Sequence, residues 1–267
     1  MTGASEFSAS DVAVVHRDAH YLIVSKPSGL ATTSPDGQRC LASLVHDIDP
    51  EAPRLHASSR LDAEVSGLVT FARTERATEE LLDARRRGTY RRLYVALAQA
   101  APDPVDGVWE DAIALDSRDL RRRRAVPGGT DRHGAKAART RYACEPGASP
   151  LRWLWLSPHT GRTHQLRVHA AAHGAPLVGD VHYGGPRRVV LDDGRVLLAR
   201  RTMLHCRMLS LPRLDGGGEL VVGLPPPVDF ADLWSRGGGD GTLLAEEAPA
   251  RAALQLLSAP PSTTAAG

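Results

Sequence analysis

Residues 58 to 73 read SSRLDAEVSGLVTFAR, and the fold turns on how this stretch is taken. Val65 to Ala72 has the short, apolar, β-branched composition of a buried strand. Arg60 and Asp62 flank a single leucine in the connection that leads into it. The ordinary reading of such an aspartate is a turn or cap residue, because its carboxylate accepts from nearby backbone N–H groups. The other reading is that the connection presents Asp62 to a ligand.

The flanking sequence supplies the architecture. VAVVH and YLIVS, separated by RDAH, read as a hairpin, and SKPSG at 25 to 29 is a loop punctuated by Pro27 and Gly29. CLASLVHDI has helical spacing. Thr74 is the expected cap of a helix over ERATEELLDARRR that stops at Gly88. TYRRLYVALAQA, with Tyr94 near its centre, GVWEDAIAL, ARTRYACE and LRWLWLS read as strands. RTHQLRVHAAAHG reads as a helix stopped by Gly174 and Pro176. Short strands follow at RVLLA, MLSLP and ELVVG, then a helix at PVDFADLW. The expectation is one α+β domain over residues 1 to 235, with a single mixed, largely antiparallel sheet flanked by helices. Residues 117 to 138 are expected to form a long loop. From Arg236 onward Gly, Ala, Pro, Ser and Thr dominate, and 236 to 267 is expected to be a poorly ordered tail.

Composition excludes several classes. Hydrophobic residues at 42% and charged residues at 24% are ordinary for a globular chain of 267 residues. No apolar run approaches the roughly 20 residues that cross a bilayer, and the N-terminus lacks the charged and apolar regions of a secretion signal. Cys40, Cys144 and Cys206 are scattered and odd in number. That argues against a disulfide framework and a cysteine zinc site, and makes the cytoplasm the default.

Net charge of +2 conceals two basic clusters. Residues 117 to 141 carry +7 and residues 85 to 92, RRRGTYRR, carry +5, so the remainder sums to −10. Lys26 and Lys136 are the only lysines among the 33 basic residues. A basic run is commonly a solvated face, but two clusters of planar guanidiniums suit a polyanion, nucleic acid above all.

No Gly-rich phosphate loop and no G-x-S-x-G elbow occurs. His169 and His173, four apart on the expected helix, share a face and invite a metal reading with a third ligand from Asp180 or His182. Residues 160 to 185, TGRTHQLRVHAAAHGAPLVGDVHYGG, are more specific. They crowd Arg162, His164, Gln165, Arg167 and His169 into eight positions, and a core helix could not bury so many planar donors unpaired.

This segment resembles the longest signature of the RluA-type RNA pseudouridine synthases, which convert uridine in RNA to its C5-glycoside isomer. SRLDAEVSGLVTFAR resembles the family's HRLD-x-x-TSG signature, RRLYVAL its tyrosine motif, SKPSG its NKP-x-G, and LHC at 204 to 206 its LHA. Order and spacing agree from about residue 11 to 230. The resemblance implies that Asp62 is the catalytic aspartate, Tyr94 the catalytic tyrosine and Arg167 the arginine that pairs with the aspartate. Ser59 stands where the family has histidine, and Val65 where it has threonine. A stand-alone catalytic domain is expected, monomeric and without cofactor or metal.

With the resemblance in hand, Asp62 sits on its connection to be presented to a ligand. A carboxylate can attack covalently or stabilise positive charge developing on the sugar. Arg167 would aim it, and Tyr94 would pack against the base and help remove the C5 proton. Arg60, Lys26, Arg162, His164, Gln165 and Arg121 to Arg124 are the expected RNA contacts, the RNA being ribosomal or transfer RNA. Two other readings are a non-catalytic RNA-binding module that kept the fold, and a metal hydrolase using His169 and His173.

Overall fold

The computed structural model describes residues 7–34, 36–52, 55–129, 134–146 and 150–258. The chain opens with the expected hairpin, β1 (Val14–Arg17) and β2 (Tyr21–Lys26), followed by α1 (Leu41–Ile48). Then come β3 (His56–Ala57), β4 (Ser66–Ala72), α2 (Glu75–Arg87) and β5 (Arg91–Ala98). Thr74 caps α2 by accepting from the Ala77 N–H, and Gly88, left-handed at φ 73°, ends it. Next are β6 (Asp106–Trp109), β7 (Ala112–Leu115), β8 (Arg123–Val126), β9 (Thr140–Cys144), β10 (Arg152–Pro158) and α3 (Gln165–Ala172). The chain continues through β11 (Arg188–Val190), β12 (Val196–Leu198), β13 (Leu204–Pro212) and β14 (Glu219–Gly223). The helices α4 (Val228–Arg236), α5 (Thr242–Ala245) and α6 (Ala248–Ser258) follow, the last ending with the described residues.

The main sheet runs β1-β2-β4-β13-β5-β10-β9-β6, with β14 on β13 and β3 on β4. Its pairs are antiparallel except β4 against β13, where Ser66 lies opposite His205 and Gly67 opposite Cys206. That junction needs glycine. Gly67 has φ 121°, and a Cβ there would stand 2.4 Å from the Cys206 backbone nitrogen.

Strand periodicity divides the interior into two cores, one on each face. In β5, Tyr94, Ala96 and Ala98 enter the first core, while Leu93, Val95 and Leu97 enter the second. In β10, Leu154 and Leu156 face the first, Trp153 and Trp155 the second. Helices α1, α2 and α3 contribute to the first core; Phe230, Leu233 and Trp234 of α4 cover the second.

Three expectations are corrected. GVWEDAIAL is two strands broken at Glu110 and Asp111: β6 pairs with β9, whereas β7 leaves the main sheet and pairs with β8. The arginine-rich segment is thus one arm of a hairpin, its register Ile113 to Ala125 and Ala114 to Arg124. Ile113 and Ala125 pack with Val168 and Ala171 of α3, so apolar cover decides a segment whose arginines suggest a loop. Residues 130–133 of that loop lie outside the described residues. The expected tail is also structured as far as Ser258. Ala250, Ala253, Leu254 and Leu257 of α6 form a buried stripe on the second core. Small alanines that read as low complexity are here the close-packed face of a helix.

Candidate active site

The connection from β3 to β4 makes a tight turn at Asp62, whose carbonyl accepts from the Val65 N–H at 3.1 Å. Backbone and side-chain donors from residues 26 to 32 hold that turn. The Gly29 N–H and Lys26 Nζ donate to the Ala63 carbonyl at 2.7 and 3.1 Å, and Ser28 Oγ donates to Glu64 O at 2.8 Å. Thr32 Oγ1 both donates to Leu61 O at 2.8 Å and accepts from Leu61 N–H at 3.0 Å. Here lies the physical use of SKPSG: it clamps the aspartate loop.

Lys26, expected as an RNA contact, is instead spent on this loop. It is fully buried, and its ammonium donates to the carbonyls of Pro27, Leu30 and Ala63. Burial pushes its pKa down to about 7, with the Asp62 charge pulling the other way. Position in a loop motif suggests exposure, whereas the stem runs inward from the end of β2. Gln165, which lines the cleft that contains Asp62, is engaged likewise. Its side chain is buried, accepting from Thr160 Oγ1 and the Arg162 N–H and donating to Arg139 O and Thr140 Oγ1, so it fastens α3 to β9.

Arg167 is the hub. Its guanidinium is 2% exposed and grips Asp180 bidentately, Nε to Oδ2 and Nη2 to Oδ1, both at 2.7 Å. The remaining nitrogen, Nη1, lies 3.2 Å from Asp62 Oδ2 and 2.8 Å from Glu64 Oε2. Burial works against this charge, but the hydrogen bond and charge of Asp180, with Asp62 and Glu64, hold its pKa above the ordinary arginine value. A fixed cation thus aims a carboxylate that is itself 25% exposed to the cleft.

His164 caps α3 in the left-handed conformation, φ 57°, the one non-glycine residue with positive φ among the described residues. Its Nδ1 is 2.7 Å from the Tyr183 hydroxyl and its Nε2 is 3.9 Å from Asp62 Oδ2. Burial lowers its pKa, opposed by the Asp62 charge. Tyr183, absent from the expected site residues, joins the hairpin to this centre. Its hydroxyl accepts from the Arg123 N–H at 3.0 Å, and the guanidiniums of Arg167 and Arg122 lie 5.1 and 5.4 Å from the centre of its ring. The signal was present in GDVHYG, where spacing alone assigns no role.

Asp62, Tyr94, Arg167, His164, Arg60 and Arg162 line one cleft of about 1380 Å³. That volume admits a nucleotide with room beyond it. Tyr94 is buried beside Cys206, and burial pushes its phenol up, so the protonated phenol is the resident form at neutral pH. Arg60 is exposed on the cleft wall. Ser59 is buried and accepts from Tyr90 Oη at 3.4 Å, while Val65 packs in the first core. Arg121 to Arg124 lie outside the cleft. Arg121 is held on Asp119 at 3.1 Å, the Arg123 guanidinium donates to the Leu120 and Arg122 carbonyls, and Arg124 is exposed.

His169 uses both ring nitrogens on the protein, Nδ1 with Thr140 Oγ1 and Nε2 with Asp111 O, at 2.9 and 3.0 Å. His173 is 2.5 Å from Asp111 Oδ2 and stacks on Trp109. Both are engaged in holding α3 to the break between β6 and β7, and among the described residues no three His, Cys, Asp or Glu side chains gather as a ligand set.

The family model for RNA pseudouridylate synthase matches residues 20–172, and the chain belongs to that family. Among its relatives, an RNA pseudouridine synthase of Bacillus subtilis, YhcT, is 31% identical over 226 residues, covering 82% of this chain and 70% of that protein. The dual-specificity RNA pseudouridine synthase RluA of Escherichia coli K12 is 29% identical over 218 residues, covering 81% and 93%. Two solved human structures share the fold: RNA pseudouridylate synthase domain containing 1 (TM-score 0.68, 23% identity, 96% of this chain and 98% of that one) and domain containing 4 (0.64, 24%, 84% and 92%). The chain is an RNA pseudouridine synthase of the RluA type.

Proposed function

We propose that Asp62 is the nucleophile of this synthase, that Arg167 aims it, and that Tyr94 packs against the base. The observation that carries the reading is the Arg167 Nη1 to Asp62 Oδ2 contact of 3.2 Å at the wall of a nucleotide-sized cleft. A uridine leaves its stack at a cost of a few kcal/mol and enters the cleft. The N1–C1′ bond breaks, the base turns, C5 joins C1′, the C5 proton leaves and N1 gains one. The carboxylate acts while the glycosidic bond is open, either as a covalent partner or as the charge opposite the sugar cation. With its phenol protonated, Tyr94 serves first as a packing surface; proton removal at C5 requires it to pass a proton onward as it accepts one. Arg60, beside Asp62 in sequence, meets phosphates or the space that the base vacates.

The substrate in this proposal is ribosomal or transfer RNA, modified in the cytoplasm by a monomer. Three free cysteines support a reducing compartment, and among the described residues no helix is long and apolar enough to cross a membrane. Asp62→Asn keeps the shape and removes the nucleophile. Purified variant and wild type are compared by mapping pseudouridine in total RNA from cells lacking the protein. Turnover below detection with unchanged circular dichroism and RNA binding is expected; appreciable turnover by Asp62→Asn would sink the assignment.

A further inference from the structure

Residues 85–92 carry five arginines, and none of them has a part in the site described so far. Three are neutralised. Arg86 faces Asp83 at 3.5 Å, Arg87 faces Glu80 at 2.6 Å, and Arg91 faces Glu219 at 2.9 Å. Four of the five, Arg85, Arg86, Arg91 and Arg92, line the cleft that contains Asp62, and of these Arg85 and Arg92 face no carboxylate among the described residues.

Local structure explains how they meet there. Gly88 turns the chain out of α2 and into β5, which returns Arg85 to the neighbourhood of Arg92. The strand period places Tyr90, Arg92 and Tyr94 on one face, with Arg92 about 7 Å along the backbone from Tyr94. The Arg85 and Arg92 guanidiniums lie 5.4 and 6.0 Å from the centre of the same Tyr90 ring. That ring is itself fixed, since Tyr90 is buried and its hydroxyl donates to Thr70 Oγ1 at 3.2 Å. Arg92 spends Nη2 on the Thr160 carbonyl at 3.2 Å, while its Nε is buried without a partner. Two like charges share one aromatic ring, and a buried donor goes unmet. Such a cluster is costly until an anion satisfies it. The guanidinium fork fits a phosphate in particular, through two parallel hydrogen bonds.

We propose that Arg85 and Arg92 form a phosphate subsite of the cleft, which takes the RNA phosphodiester flanking the uridine presented to Asp62. This rests on the reading of that cleft as the catalytic site. Arg85 is exposed at the rim and Arg92 is half-buried beside Tyr94, so the pair draws the backbone inward as the base enters. Tyr90 holds both guanidiniums in place before RNA arrives.

The test is made in Asp62→Asn protein, with a short single-stranded RNA containing one uridine and the same RNA with methylphosphonate linkages flanking that uridine. Arg85→Gln should flatten the log–log salt dependence of binding by about 0.7, the value of one lost phosphate contact on a single strand. Arg92→Lys keeps the charge, so it should keep the slope while losing affinity with the fork. The methylphosphonates should weaken binding by the parent and leave the Arg85→Gln/Arg92→Gln variant unaffected. Parallel slopes for a folded Arg85→Gln, or an equal methylphosphonate penalty in parent and variant, overturn the proposal. Should Arg92→Gln fail to fold, Arg85→Gln and Arg92→Lys still decide it. Turnover by Asp62→Asn would refute the catalytic reading and leave these slopes as measured; parallel slopes beside an inactive Asp62→Asn would refute the subsite alone.

Discussion

Asp180→Asn is the sharpest test of how the aspartate is aimed. Asp180 is 1% exposed and Arg167 2%, and two contacts of 2.7 Å join them. Asparagine keeps the shape but turns an amide NH₂ toward a guanidinium and removes the charge that offsets its burial. Breaking a buried pair from one side costs about 3–5 kcal/mol, because the survivor is left uncompensated. Asp62 and Glu64 still face Nη1 at 3.2 and 2.8 Å, so the lower end, about 3 kcal/mol, is the better expectation. For a chain of this length each kcal/mol moves Tm by about 2–4 °C, which gives a fall of about 6–12 °C. The released guanidinium also shifts toward the two remaining carboxylates and drags Asp62 off its line. A misplacement of about 1 Å costs about a hundredfold in rate. Thermal unfolding followed by circular dichroism reads the first effect. Single-turnover modification of RNA, well below the variant's Tm, reads the second. A Tm within about 2 °C of wild type, or an unchanged single-turnover rate, would show that Asp180 is not what holds Arg167.

Lys26→Met should leave the salt dependence of RNA binding unchanged while slowing turnover, since the residue clamps the Asp62 loop; a flatter slope would return Lys26 to the RNA interface. The same residue predicts a pH effect. Its pKa falls from about 10.5 to about 7 on folding, so between those values the unfolded chain holds a proton that the folded chain does not. Wild-type stability should rise with pH across that window, and Lys26→Met should lack this contribution in parallel urea titrations. Replacing the exposed Arg121 and Arg124 with Gln should flatten the salt slope by up to about 1.4 and leave kcat within a few fold, as for lost uniform binding; parallel slopes would mean that the hairpin does not touch RNA. Gly67→Ala sets a methyl 2.4 Å from the Cys206 nitrogen and should destabilise by more than about 4 kcal/mol, read as loss of soluble folded protein. A folded variant with near wild-type Tm would refute the close approach of β4 and β13.

Much of the molecule is legible before folding because it is local. Thr74 and Gly88 bound α2 through contacts within a turn, and alternation in LRWLWLS marks a strand because successive side chains leave opposite faces. Asp62, Tyr94 and Arg167 are legible for a different reason: each sits in a motif with a family pattern, so their resemblance could be read without knowing their distance. What no local rule carries is which partner a polar group meets. Lys26 and Gln165 look like RNA ligands in sequence, and only the packed chain shows Lys26 donating to the Ala63 carbonyl and Gln165 to the Arg139 carbonyl and the Thr140 hydroxyl. Arg85 and Arg92 look no different from Arg86, Arg87 and Arg91, because whether a carboxylate faces a guanidinium depends on chain geometry rather than composition. The tail misled for a related reason. An alanine-rich segment has too little apolar area to declare itself a helix, and α6 exists because the second core offers it a surface to cover. Sequence determined most of the elements and the motifs in which Asp62, Tyr94 and Arg167 stand; tertiary packing decided which charges are neutralised, which are buried, and which face no carboxylate.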